Sequence, residues 1–159
     1  DARGRYGRPM RIALYQPDIA GNVGAIMRLC ACFGVPLDII MPCGFIWSDK
    51  ALKRSAMDYG AATDVTRHAN AEAMFDAMAG RRIVLLTSAG ETRLPDVRFA
   101  PDDVLMLGSE SAGVPPEVHA RAALRVRIPM QAGFRSLNIA VSAGIALSEA
   151  LRQTGQFPE

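Results

Sequence analysis

Short apolar runs recur along this chain at intervals that leave room for a helix between most of them. Residues 11–15 (RIALY), 37–41 (LDIIM), 82–87 (RIVLLT) and 103–107 (DVLML) are nearly continuous in polarity rather than alternating, and 125–128 is a shorter last run. A strand with one wet face alternates with period two. Continuous runs therefore predict strands covered on both faces, as in a parallel sheet flanked by helices. A weaker strand is predicted near Val65.

The intervening segments carry helical spacing. Val23, Ile26, Met27, Cys30 and Phe33 recur as one helix face, starting near Asn22 after the breaker-rich loop 16–21 and ending at Gly34, where helices often stop. A short helix is predicted over 49–57, and another over 70–79 with Asn70 as its cap. The final helix, 137–153, is apolar or small on nearly every side. It is expected to press against a second subunit, the alternative being a place at the centre of the core. The fold class is α/β, a mainly parallel sheet with helices on both faces, in a single domain over 10–159. Residues 1–9, rich in Arg and Gly, read as a flexible basic arm or a non-native extension, with Met10 as the natural start.

Composition narrows the function classes. Half of the 159 residues are hydrophobic and 21% are charged, the profile of an ordinary globular protein. The net charge of +2 proves no nucleic-acid partner, but the arginines and lysines cluster: Arg3, Arg5, Arg8 and Arg11; Lys50, Lys53 and Arg54; Arg121, Arg125 and Arg127. Cys30, Cys32 and Cys43 form no metal-type pair, and His68 and His119 stand apart from them, so no metal is expected. Without a leader pattern or a run of about 20 apolar residues, the expected location is the cytoplasm.

Three polar or glycine-rich segments follow predicted strands, where open α/β sheets bind ligands. In the first, 22–28, helix-start amides, Gly24 and Arg28 could hold a phosphate. In the second, 108–113, Gly108 allows close approach to a flat ligand, Glu110 fixes a nearby group, and Gly113 suits a positive-φ turn. In the third, Ile128 and Met130 offer apolar surface, while Ser136 and Asn138 offer hydrogen bonds; Ser136 could equally be a plain helix cap.

In order and spacing, these segments resemble the three motifs of the SpoU branch of the SPOUT methyltransferases, from Arg11 to Gly155. Residues 44–50 and 57–59 are similar to the TrmL-type pattern. Ser148 departs from it, standing where TrmL-type sequences often carry tyrosine. The resemblance implies a homodimer with a deep C-terminal trefoil knot that binds S-adenosyl-L-methionine. Its implied cofactor contacts are Leu86, Thr87, Gly108, Ile128, Met130, Ser136 and Leu137. Its implied catalytic or substrate-positioning residues are Asn22, Arg28, Glu110, Ser136 and Asn138.

The implied activity is transfer of a methyl group to the ribose 2′-hydroxyl of tRNA wobble nucleotide 34, cytidine or uridine, in leucine isoacceptors. The competing expectations are a methyltransferase for ribosomal RNA or another tRNA position, and a catalytically silent RNA-binding protein. Trp47 is expected either to stack on a base or to pack into the core.

Overall fold

A computed structural model describes residues 8–57 and 59–159. In chain order its elements are β1 (Arg11–Tyr15), α1 (Ala20–Phe33), β2 (Leu37–Ile40), α2 (Asp49–Ser55), a 3-10 turn (Tyr59–Ala62), β3 (Val65–His68), α3 (Ala71–Ala77), β4 (Ile83–Leu86), β5 (Thr92–Arg93), a second 3-10 turn (Leu94–Asp96), β6 (Val104–Leu107), α4 (Pro116–Arg121), β7 (Leu124–Arg127) and α5 (Ile139–Thr154). The strands form one seven-stranded sheet in the order β3-β2-β1-β6-β4-β7-β5, with every pairing parallel.

The continuous apolar runs are explained by two cores. Ile12, Leu14, Leu105 and Leu107 pack on one face of the sheet with α1, α2 and α5, while Ala13, Leu85 and Met106 pack on the other with α3 and α4. Gly34 ends α1 in the left-handed region, φ 65°, and Asn70 caps α3 by accepting from the Ala73 amide at 2.9 Å. Predicted helix 49–57 is shorter than expected, because Met57 itself turns left-handed, φ 53°.

Two features of the topology place the site. β1 and β6 are neighbours, yet the chain leaves β1 toward β2 and leaves β6 toward β7, on opposite sides. The loops after their carboxyl ends therefore flank a switch-point crevice, where doubly wound sheets bind ligands. At the other end of the sheet, charges are paired: fully buried Asp38 accepts from Arg11 (2.7 Å) and bonds His68 (2.8 Å), and fully buried Asp103 accepts from Arg82 (2.7 Å). Arg8, expected to belong to a loose arm, pairs with Asp102 at 2.6 Å; Arg3 and Arg5 lie outside the described residues. No helix of the described residues is long and apolar enough to cross a membrane.

Candidate active site

The loop after β1 and the loop after β6 hold each other by reciprocal carboxylate bonds. Glu110 accepts from the Asp18 amide (2.9 Å), the Ile19 amide (3.0 Å) and Asn22 Nδ2 (3.1 Å). Asp18 in turn accepts from the Ser111 amide (3.0 Å) and hydroxyl (2.5 Å), bonds that hold its carboxyl below the ordinary value. Behind them, Ser109 and Gly113 exchange backbone bonds of 3.0 and 2.9 Å, with Gly113 at φ 64° as the turn requires. A Cβ on Gly108 would lie 2.6 Å from the Gly113 carbonyl carbon, so the turn closes only over glycine.

A second link runs from Glu110 to the last helix. Asn22 Oδ1 accepts from Asn138 Nδ2 (3.0 Å), and Asn138 Oδ1 accepts from the Ala140 (2.8 Å) and Val141 (3.2 Å) amides that open α5. Each amide's orientation follows from the chemistry. An ionised carboxylate only accepts, so Asn22 turns its nitrogen to Glu110 and its oxygen to Asn138, which then offers its own oxygen to the helix. Asn138, rather than Ser136, is the cap. Replacing it with alanine should cost about 1 kcal/mol of stability, a drop of roughly 2–4 °C in a thermal melt.

This wall borders a cavity of about 480 Å³ beyond the ends of β4, β6 and β7. That volume lies within the usual range for small-ligand pockets. All seven residues expected at the cofactor line it: Leu86 and Thr87 after β4, Gly108 after β6, Ile128 after β7, and Met130, Ser136 and Leu137 on the segment leading to α5. Asn22, Glu110 and Asn138 line it as well. Sequence reasoning misses Ser88, Val126 and Ser142 in the lining, while Ser109 falls in the expected segment 108–113; Ser142, one helical turn beyond Asn138, is recoverable from spacing.

Arg28 is not part of that lining. It is exposed, about 9 Å further along α1 than Asn22 at 1.5 Å per residue. Its guanidinium carbon sits 5.0 Å from the centroid of the Tyr59 ring, and Nη1 is directed at Met57 Sδ. The reading of 22–28 as a phosphate cradle is corrected on two counts. Gly24 is buried, where a Cβ would lie 2.3 Å from Ser55 Cβ, so it serves the α1–α2 contact. Glu110 already occupies the start of α1 with a negative charge.

The basic clusters separate by their partners. Arg121 pairs with Glu72 (2.8 Å) and covers the Phe75 ring, Arg125 pairs with Glu91 (3.1 Å), and Arg127 donates to the Gly90 carbonyl (3.1 Å), so this group fastens α4 and β7 in place. Lys50, Lys53 and Arg54 are exposed on α2 and pair with no carboxylate among the described residues. Trp47 is half-buried and packs against the core, with the Phe45 ring stacked at 6.3 Å and the Arg67 guanidinium 4.9 Å from its centroid. Burial pushes the Cys30 thiol up to about 12 and Cys43 up to about 11. No cluster of three metal-type ligands occurs among the described residues.

The chain is similar to proteins of described activity along most of its length. It is 49% identical over 146 residues, 91% of each chain, to a tRNA (cytidine(34)-2′-O)-methyltransferase of Beijerinckia indica subsp. indica. A structure solved for insight into 2-OH methylation of C/U34 on tRNA superposes with a TM-score of 0.88 at 40% identity, covering 93% of this chain and 97% of the other. An AdoMet-bound rRNA methyltransferase from Sinorhizobium meliloti gives a TM-score of 0.80 at 30% identity, covering 91% of this chain and 56% of the other. The SpoU rRNA Methylase family profile matches residues 9–148, and the chain belongs to that family.

Proposed function

We propose that this protein is a tRNA ribose 2′-O-methyltransferase that uses S-adenosyl-L-methionine and modifies wobble nucleotide 34, cytidine or uridine, of leucine isoacceptors in the cytoplasm. The observation that carries the reading is the cavity beyond β4, β6 and β7, with the Glu110–Asn22–Asn138 chain forming its polar wall. The cavity suits the cofactor in size and chemistry. Leu86, Ile128, Met130 and Leu137 offer apolar faces for an adenine ring, Thr87 and Ser136 offer hydroxyls, and the glycine turn at 108–113 lets backbone come close. When bound, S-adenosylmethionine supplies a methyl group made electrophilic by its sulfonium.

The chain's own task is to place and activate a ribose hydroxyl. Asn22 and Asn138 hold amides in fixed orientation beside the cavity, and alignment of this kind draws on the ~7–11 kcal/mol that well-oriented intramolecular reactions gain. Arg28, exposed beside the cavity rather than in its lining, holds a phosphate of the bound RNA and turns its positive charge toward the ribose whose proton leaves for solvent or a nearby acceptor. A guanidinium holds its proton too tightly to serve as a general base.

The C-terminal segment is knotted in this reading, and α5 forms a homodimer contact. Its inner face buries Ala143, Ala146, Leu147 and Ala150, while its outer face leaves Val141 50% and Ile145 40% exposed. The anticodon arm lies against Arg28, Lys50, Lys53 and Arg54. If each neutralises one phosphate, log affinity falls against log salt with a slope of roughly −3, measurable by filter binding.

The deciding experiment supplies isotopically labelled S-adenosylmethionine and undermethylated total tRNA, then locates the label by nuclease digestion and mass spectrometry. Label on the ribose of nucleotide 34 is the expected result. Label in ribosomal RNA alone would move the substrate while keeping the chemistry, and cofactor binding without label in any RNA would leave an RNA-binding protein.

A further inference from the structure

We infer that Tyr59 is a positioning residue for Arg28, orienting its guanidinium through the ring face; this rests on the reading of Arg28 given above. The two side chains come from different elements. Arg28 projects from α1, and Tyr59 opens the 3-10 turn that follows α2, with the guanidinium carbon 5.0 Å from the ring centroid. That is within the reach of a cation–π contact.

Three observations show that the turn is built to make this contact. Met57 adopts φ 53°, a conformation a residue with a side chain rarely takes, and from it sends its sulfur to Arg28 Nη1. Thr63 donates its hydroxyl to the Met27 carbonyl at 2.7 Å, fastening the end of the turn to α1 beside Arg28. The Tyr59 amide bonds the Ala56 carbonyl at 3.1 Å, fixing the turn to the end of α2. The segment is thus held on both sides of the arginine.

The choice of partners matters for the charge. Among the described residues no carboxylate pairs with Arg28, as with Arg54, Arg67, Arg98, Arg127 and Arg135, whereas Arg11, Arg82, Arg121, Arg125 and Arg152 each have one. A carboxylate would orient the side chain equally well but would occupy the forked donors and cancel the charge that a phosphate or alkoxide needs. An aromatic face and a thioether limit its freedom while leaving most N–H donors for the RNA.

The test is a double-mutant cycle on the intact protein, read as single-turnover methylation of undermethylated tRNA at saturating S-adenosylmethionine, with cofactor affinity and thermal midpoint measured alongside. Tyr59→Phe, which keeps the ring, should stay within about twofold of wild type, while Tyr59→Leu should lose about five- to tenfold with cofactor affinity unchanged. In an Arg28→Ala background, Tyr59→Leu should add no further loss, because its effect passes through the arginine. Should Tyr59→Leu fail to fold, Thr63→Val, which releases the turn from α1, should show the same loss and the same dependence on Arg28. Equal losses in both backgrounds would overturn the proposal and assign Tyr59 a direct or purely structural role, as would full turnover in folded Tyr59→Leu. Full turnover in Arg28→Ala would instead bring down the reading of Arg28 itself, and the proposal with it.

Discussion

Glu110→Gln should lower single-turnover methylation by about 100-fold or more, although it changes one oxygen to nitrogen. The carboxylate accepts three N–H bonds, from Asp18, Ile19 and Asn22. A glutamine offers one oxygen and an NH₂ group that faces another donor. Relief by flipping Asn22 would set its nitrogen against Asn138 Nδ2, and flipping Asn138 in turn would abandon both amides at the start of α5. Leaving such a group unpaired costs about 1–3 kcal/mol of stability, visible as a lower melting temperature. Losing one preorganised group at a reacting centre typically costs 10²–10³ in rate, which sets the scale of the kinetic effect at about 100-fold. Wild-type turnover in Glu110→Gln would show that neither the charge nor the orientation chain matters.

Gly90→Val should weaken S-adenosylmethionine binding by more than about tenfold and destabilise the fold by at least ~1–3 kcal/mol, the range for overpacked sites. A Cβ at Gly90 would lie 2.5 Å from the Val126 carbonyl carbon and 2.7 Å from the Arg127 nitrogen, both backbone atoms of β7. They cannot move aside without opening the β4–β7 pairing of Leu86 with Val126. Arg127 tightens the same approach through its bond to the Gly90 carbonyl. Leu86, Thr87 and Val126 line the cavity, so displacement of this loop reshapes it directly. Calorimetric titration and a thermal melt measure the two effects; unchanged cofactor affinity in a folded Gly90→Val protein would sink the prediction.

Neither Gly90 nor Gly24 announces its role in sequence, because the backbone or side chain that forbids a Cβ comes from a distant segment. β1, β2, β4 and β6 were legible for the opposite reason. Burial on both faces writes itself into consecutive residues, whatever the strand order. β5, two residues long, and α4, six residues with only Val118 buried, are too short to show a period, although Pro115 and Pro116 mark the α4 start. The start of α1 was placed near Asn22 and lies at Ala20, since Ile19 caps it without a side-chain bond.

The same contrast holds at the site. Asn22, Glu110, Ser136 and Asn138 could be picked out by their order in three motifs, and they line one cavity. The pairing of Asp18 with Ser111 could not, since it exists only where the two loops face each other. Charge was the least legible property. Three basic clusters look alike in sequence, but the carboxylates and carbonyls that absorb Arg8, Arg11, Arg121, Arg125 and Arg127 become visible only once the chain is folded, leaving Lys50, Lys53 and Arg54 of α2 as the unpaired cluster members among the described residues.

The bond between Asn22 and Asn138 joins residues 116 apart. A chain leaving the ribosome makes Asn138 only after every strand of the sheet has been synthesised. Until α5 docks, the Asn22 carbonyl lacks its partner and one side of the cavity is missing. A chain cut before α5 can therefore possess every strand of the sheet and still be inert, so that competence to modify RNA depends on the docking of α5 rather than on the sheet alone.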